Sequence, residues 1–101
     1  MHGEYKMPGG KLIVVDLSIV GGCLAQVQVS GDFFLEPDDA LHAIDAALEG
    51  QRADADEHML AAAVHARLAP GVMMYGISPE AIAVAVRRAI DQHAIDQGMA
   101  P

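Results

Sequence analysis

An alternating hairpin constrains the fold of this chain more than any other feature. In residues 11–20, apolar side chains recur at every second position, which is the period of a half-buried strand. Gly21-Gly22 then supplies a two-residue turn, because glycine accepts the positive φ angles that such turns need. Residues 23–30 alternate again and are predicted to return antiparallel to the first strand. The residues predicted to face the core are Ile13, Val15, Leu17 and Ile19 on the first strand and Ala25, Val27 and Val29 on the second.

Three helices are predicted after the hairpin, and the first begins near Pro37. Proline suits the first helical position, and Asp38 and Asp39 place negative charge at the positive end of the helix dipole. Gly50 is predicted to end this helix. A short strand over residues 4–7 is predicted before the hairpin.

The second and third helices have their own start signals. Asp54 followed by Glu57 is a variant of the capping box, and Ser78 before a proline is a favoured N-cap. The apolar period weakens after residue 90, so the domain is predicted to span residues 1–90 and residues 91–101 to form a frayed tail. The order β-β-β-α-α-α predicts an α+β two-layer sandwich, with a three-stranded antiparallel sheet followed by three helices.

Composition and charge argue against several classes of protein. The net charge is −8 over 101 residues, and the acids are concentrated in residues 32–57. An acidic surface repels phosphate backbones, so no nucleic-acid partner is expected. No apolar run is long enough to span a bilayer, no signal peptide opens the chain, and Cys23 is the only cysteine. We therefore expect a cytoplasmic protein without a membrane partner or an internal disulfide.

The histidines do not form a recognisable metal-binding pattern. His42 shares a helix face with Asp45 and Glu49, and His58 shares one with His65. Solvated polar faces produce the same spacing, and no H-E-x-x-H motif is present. We interpret both faces as solvated and predict no metal ligands.

Nucleophile and phosphate-loop motifs are also missing. Cys23 lacks the basic neighbour that a reactive thiolate needs, so it is interpreted as an ordinary strand residue. There is no G-x-S-x-G, no Walker loop and no G-x-G-x-x-G. Met73-Met74-Tyr75 is predicted to fill the core ahead of the third helix.

Lys6 and Lys11 are the only lysines, and they flank the Pro8-Gly9-Gly10 turn. They lie in the one segment that has no excess of acids. A compact ammonium on a flexible stem suits a phosphate or adenylate partner. Ordinary solvated lysines are the alternative interpretation.

Phe33 and Phe34 are the only phenylalanines, and they directly follow Gly31-Asp32. Consecutive strand residues face opposite sides of a sheet. One ring is therefore predicted to enter the core, and the other to face outward as a contact for a partner or for the first helix. The sequence does not show which ring takes which place.

These segments resemble the accessory, C-terminal domain of lipoate–protein ligase. The resemblance is carried by "HGEYKMPGGKLIVVDL" (residues 2–17), "VQVSGDFFLEPDDAL" (residues 27–41) and "YGISPEAIAVAVRRAI" (residues 75–90). Its specific parts are the lysine-flanked turn and the G-D-F-F corner. It covers roughly residues 2–90, and it implies a fold similar to NifU-type and SufE-type scaffolds.

The resemblance implies a function that this chain performs only with a partner. Lipoate–protein ligases use ATP and Mg²⁺ to activate lipoate to lipoyl-AMP, and then transfer the lipoyl group to a lysine of a lipoyl-domain protein. The large catalytic domain is absent from this sequence. The resemblance therefore implies a non-catalytic accessory subunit that binds no cofactor tightly by itself and requires a separate large subunit. The chain is then either a stand-alone subunit or an excised domain, and Met1 directly before the first motif favours a separate natural chain.

The resemblance also implies a set of ligand-contacting or partner-contacting residues, with no catalytic residue and no metal ligand among them. The lysines would act as electrostatic or hydrogen-bonding groups at ATP or at the partner interface. Asp32 is favoured as a turn residue over a Mg²⁺ ligand. The candidates are Lys6, Lys11, Gly31, Asp32, Phe33 and Phe34.

Two other functions remain open from the sequence. An iron–sulfur or sulfur-transfer scaffold has a similar fold, but it normally needs several thiolate ligands, and this chain has one cysteine. A generic adaptor would bind one partner through an exposed apolar patch and have no role in ligation.

Overall fold

Five strands and three helices form the part of the protein that a computed structural model describes, residues 1–96, with side chains described for residues 1–92. In chain order, the elements are β1 (His2–Lys6), β2 (Leu12–Val20), β3 (Cys23–Gly31), β4 (Phe34–Glu36), α1 (Ala40–Leu48), α2 (Glu57–Arg67), β5 (Met73–Tyr75) and α3 (Pro79–Asp96).

The first three strands form an antiparallel sheet in the order β1-β2-β3. Val20 pairs with Cys23 across the Gly21-Gly22 turn, whose glycines have φ angles of 60° and 79°. Because the chain continues into helices that cover this sheet, the predicted α+β class is confirmed.

A bulge in β3 changes which of its residues are buried. The register with β2 shifts between Asp16 and Ser18, and Gln26 opposite this point has a φ of 53°. An extra residue on one strand reverses the inward and outward alternation beyond it. Leu24 is consequently buried, and Ala25, which was predicted to face the core, is only half-buried.

The core lies between the sheet and the helices. α3 packs along β1 and β2, α2 packs on α3, and α1 covers β3. Gly3 sets the distance between β1 and α3, because a Cβ at this position would overlap the backbone of Ala85 and Ala89. The largest side chains with almost no exposure are Ile13, Val15, Leu24, Val29, Ile44, Leu48, Leu60, Val64, Ile82 and Val86.

The first helix begins later than predicted. α1 starts at Ala40, and the residues from Pro37 to Asp39 instead form tight turns, in which the N–H of Ala40 donates to Pro37 O (3.1 Å). The Asp39 side chain makes no capping hydrogen bond. The two acids therefore precede the helix and do not lie in its first turn.

The capping residue predicted for the second helix is also wrong, whereas that for the third is confirmed. Asp56 caps α2, because its Oδ1 accepts from the N–H of Met59 at 2.8 Å. Asp54, the predicted cap, instead pairs with Arg52 at 2.9 Å. Ser78 caps α3 as predicted, and its Oγ accepts from the N–H of Ala81 at 3.1 Å.

A second, two-stranded sheet was not predicted. β4 and β5 pair antiparallel, with Phe34 opposite Tyr75. Met73, Met74 and Tyr75 thus form a strand, and Met73 and Tyr75 are exposed, so the prediction that this segment fills the core holds only for Met74. Three-residue strands are too short to show a period, which is why the sequence order omitted both.

The last helix extends six residues beyond the predicted end of the domain at residue 90, since α3 continues to Asp96. The remainder of the predicted tail, residues 97–101, lies outside the described residues. Across residues 1–96, none of the helices combines the length and apolar content needed to cross a bilayer.

Candidate functional site

The lysine-flanked segment is a tight turn between β1 and β2. Inside the turn, the N–H of Gly10 donates to Met7 O at 2.8 Å. Lys6 and Lys11 are both exposed, and neither ammonium has an ion pair or hydrogen bond among the described residues. Their charges are therefore available to an external group.

The two lysines lie on opposite sides of the sheet. Lys6 alternates with buried Gly3 and half-buried Tyr5, which places it on the outward face of β1. Lys11 is in phase with buried Ile13 and lies at the end of the sheet on the side that the helices cover. The sequence treated the two lysines as one basic turn, but the structure points them to different sides.

Gly76 supports the stem of Lys11 and was not singled out from the sequence. It has a φ of 76°, and a Cβ there would overlap Lys11 Cγ and lie 2.9 Å from Lys11 Cβ. The stem therefore lies directly over the chain between β5 and α3. A glycine three residues before the start of α3 was the only available signal.

Gly31-Asp32 forms a corner against β2. Gly31 has a φ of 144°, and a Cβ at this position would overlap the carbonyl oxygen of Leu12. The N–H of Asp32 donates to that same oxygen at 3.1 Å. The backbone of Asp32 makes the turn while its carboxylate remains exposed. Within residues 1–92, no group of three or more His, Cys, Asp or Glu side chains is placed to hold a metal ion.

The structure resolves the places of the two phenylalanines. Phe33 is half-buried and packs against the core, whereas Phe34 is 56% exposed. The ring of Phe34 contacts that of Tyr75, with centroids 6.0 Å apart and planes tilted by 52°. Phe34 is therefore the outward ring that the alternation predicted.

These residues gather at one end of the molecule. Lys6 pairs with Leu12, Leu12 binds the Gly31-Asp32 corner, and the Lys11 stem meets the chain directly after Tyr75. We call this region the lysine–aromatic end, defined by Lys6, Lys11, Asp32, Phe34 and Tyr75. The tertiary structure thus brings the predicted candidates together and adds Tyr75 and Gly76.

The face of α1 predicted to be solvated is in fact bonded to the edge of β3. The two oxygens of Glu49 accept from the N–H groups of Gln26 (2.7 Å) and Val27 (3.0 Å), and Asp45 accepts from Val29 (3.0 Å). Burial raises the pKa of Asp45, and the hydrogen bond from Val29 opposes this rise. These carboxylates satisfy backbone donors of the β3 bulge.

A carboxylate–histidine cluster on the outward face of the sheet was also not predicted. His2 contacts Glu4 at 2.7 Å and Asp16 at 2.8 Å. Hydrogen bonds first to Glu4 and then to Asp16 raise the pKa of His2. The three side chains come from β1 and β2 and are about half exposed, so the cluster is a surface feature next to Lys6.

A groove of about 500 Å³ lies between α2 and α3. Its walls carry His58 and His65, and His65 contacts Glu80 at 3.1 Å. None of the residues predicted for the functional site lies in this groove.

Comparison with known proteins gives one informative match. No family model and no curated protein matches this chain. A solved structure does match, with a TM-score of 0.63 and 27% sequence identity, covering 86% of this chain and 98% of the other. It belongs to a study of an archaeal lipoylation system, a bi-partite lipoate protein ligase and its E2 lipoyl domain from Thermoplasma acidophilum.

This match covers most of the chain, which is itself α+β. It supports an accessory role related to lipoylation, with a ligase as the partner in general. The predicted resemblance is confirmed: in sequence and fold, this chain is similar to an accessory domain of lipoate–protein ligase.

Proposed function

We infer that this chain is the non-catalytic accessory subunit of a two-part lipoate–protein ligase. With a separate large subunit, it supports the reaction of lipoate with ATP to form lipoyl-AMP and pyrophosphate. The lipoyl group then passes to a lysine of a lipoyl-domain protein, and AMP is released. The observation that carries this proposal is the match over 98% of a chain from a bi-partite ligase system.

The lysine–aromatic end suits a subunit that covers a partner's active site. Lipoyl-AMP is hydrolysed by water, so a small subunit placed over the pocket would protect it and add positive charge near the phosphates. Lys6 and Lys11 are exposed at this end, and no residue in 1–92 neutralises them. In this proposal ATP, Mg²⁺ and lipoate are bound by the large subunit, and this chain contributes cations to the assembled site.

Reconstitution tests the proposal. The large, lipoate-binding subunit from the same source is assayed for lipoyl-AMP formation alone, with this chain, and with this chain after heat denaturation. We expect formation of lipoyl-AMP only when the folded chain is added, and no product from the chain by itself. A large subunit that is equally active in all three mixtures would overturn the proposal.

Lysine variants then test the role of the charges. Lys11→Ala is expected to lower the rate of lipoyl-AMP formation about tenfold, the scale of one lost charged hydrogen bond. Lys6→Ala should have a smaller effect, because Lys6 lies on the outward face of β1. Arg67→Ala, which removes an exposed cation from α2, is the matched control. Equal rates for all three variants would show that the lysines are inert.

A further inference from the structure

The two-stranded sheet carries an unusual share of the exposed apolar surface. Among the described residues, five large hydrophobic side chains are exposed, and three of them belong to β4 and β5. They are Phe34 at 56%, Met73 at 50% and Tyr75 at 47% exposure. We call this surface the apolar ribbon face, defined by these three residues.

The exposure of these three side chains follows from the antiparallel pairing of β4 with β5. Leu35 and Met74 form the inner pair, with Leu35 only 5% exposed, so the alternating residues must face outward. The rings of Phe34 and Tyr75 are cross-strand neighbours in contact, which holds both in place before any partner binds. Such fixed aromatic groups lose little side-chain entropy on association.

A hollow next to Phe34 extends this face. It has a volume of about 220 Å³ and is lined by Phe33, Phe34, Leu35, Asp38 and Leu41. A protruding aromatic ring beside an apolar hollow is the arrangement found at the centre of protein interfaces, where a side chain of each partner enters the other.

The two ends of the apolar ribbon face carry opposite charges. Lys11 lies at the Tyr75 end, because its stem rests on Gly76. Glu36 lies at the opposite end, where it pairs with Met73 on the same outward side. A complementary surface would carry an apolar centre, negative charge facing Lys11, such as that of bound phosphates, and a base facing Glu36.

The net charge of −8 disfavours two classes of partner for this face. Anionic lipid surfaces and a second copy of the same chain would both be repelled. A different protein of complementary charge pattern is favoured. We propose that the apolar ribbon face is the surface that docks the large ligase subunit, an assignment that rests on the proposed function and places Met73 and Tyr75 beside Phe34 as contacts.

Binding measurements test this assignment independently of activity. The dissociation constant of the complex with the large subunit from the same source is measured by isothermal titration calorimetry for the wild type, Phe34→Ser, Met73→Ser and Tyr75→Ser. Phe34→Ser and Tyr75→Ser are expected to raise it at least about tenfold, the scale of an interface anchor. Met73→Ser should have a smaller effect in the same direction.

Two exposed hydrophobic residues elsewhere provide matched controls. Val20→Ser and Met59→Ser remove side chains that are 67% and 54% exposed but lie outside the ribbon, and they should leave the dissociation constant within about twofold. Circular dichroism and thermal unfolding of every variant separate a lost contact from a lost fold. Only variants that remain folded are compared. If one of the three ribbon variants does not fold, the other two still test the assignment.

The outcomes separate the two proposals. If the wild type binds and folded ribbon variants bind as tightly as the controls, the docking surface is wrong and the accessory function stands. If the wild type does not bind the large subunit, both fail. If sedimentation shows a wild-type dimer that Tyr75→Ser dissociates, the face joins two copies of this chain and the assignment is overturned.

Discussion

At the scale of single residues, glycines decide how closely segments of this chain approach one another. Gly3 lies where β1 crosses α3, Gly31 where the corner meets β2, and Gly76 under the stem of Lys11. In each case the space that a Cβ would need is filled by another part of the molecule. The contacts at Gly31 and Gly76 shape the lysine–aromatic end. The geometry of this end therefore depends on glycines.

Gly3→Ala is expected to destabilise the protein by about 1–3 kcal/mol, because the new methyl group would push β1 away from the backbone of Ala85 and Ala89. The measurement is the free energy of unfolding from urea titration. Gly22→Ala is the control: nothing lies near its Cβ, and its positive φ predicts a loss of about 1–2 kcal/mol from backbone strain alone. A Gly3→Ala variant as stable as the wild type would show that α3 can move aside.

At the scale of elements, α1 protects the β3 edge of the three-stranded sheet. β3 is an edge strand with a bulge, and unpaired N–H groups at such an edge invite pairing with other chains. Glu49 and Asp45 satisfy three of these donors, and the chain after α1 continues along the edge, with the N–H of Leu24 donating to Gln51 O at 2.8 Å.

The two carboxylates of α1 should respond differently to amide substitution. Asp45 uses one oxygen, so Asp45→Asn keeps an acceptor for Val29 and is expected to be at least as stable as the wild type at pH 7. Glu49 uses both oxygens, so Glu49→Gln points an NH₂ group at a backbone donor and should lose about 1–3 kcal/mol. Urea unfolding of both variants measures the contrast, and Glu36→Gln, an exposed acid of the ribbon, is the control.

The pH dependence of the Asp45 variant follows from its raised pKa. A carboxyl whose pKa is higher in the folded than in the unfolded state favours folding most at pH below its unfolded value of 3.8, and this contribution is lost as the pH rises through the folded pKa. The advantage of Asp45→Asn should therefore be greatest near pH 7 and shrink toward pH 4. An advantage that grows on acidification would contradict the assigned cause, burial of the charged carboxyl.

At the scale of the whole molecule, α3 joins the first strand to the middle of the chain. Arg88 donates to Glu4 O at 3.1 Å and lies over the ring of Tyr5, 4.9 Å from its centroid. Arg87 donates to Ala53 O at 2.6 Å and to Ala55 O at 3.2 Å, between α1 and α2. One turn of α3 thus connects parts of the chain that are far apart in sequence.

Arg87→Ala is expected to lower the free energy of unfolding by about 1–3 kcal/mol, because two carbonyls lose a charged donor in a half-buried place. Asp91→Ala removes only the exposed i,i+4 partner of Arg87 and should lose less than about 1 kcal/mol. Thermal and urea unfolding of both variants give the comparison. Equal losses would mean that the ion pair, and not the link to the loop, is the source of the stabilisation.

Local patterns were sufficient for the elements whose signals lie within a few residues. The hairpin over β2 and β3, the Ser78 cap and the outward orientation of one phenylalanine all followed from periodicity and turn chemistry, and the structure confirms them. The β3 bulge, the Asp56 cap and the β4–β5 ribbon did not follow. The bulge and the ribbon each depend on pairing with another strand, such as that of Phe34 with Tyr75, which local patterns do not contain. The Asp56 cap was missed for a different reason, because Arg52, two residues before Asp54, pairs with that carboxylate.

The candidate site, like the fold, could be predicted from the sequence only in part. Residue chemistry and resemblance singled out a pair of lysines, a glycine–aspartate corner and an aromatic pair as candidates, because these are properties of residue types in short segments. Only the tertiary structure decided that Lys6 and Lys11 point to different sides, that Phe34 is the exposed ring, and that Tyr75 stands beside it. Strand register and backbone approach at glycines set these places, and both are contacts between distant parts of the chain.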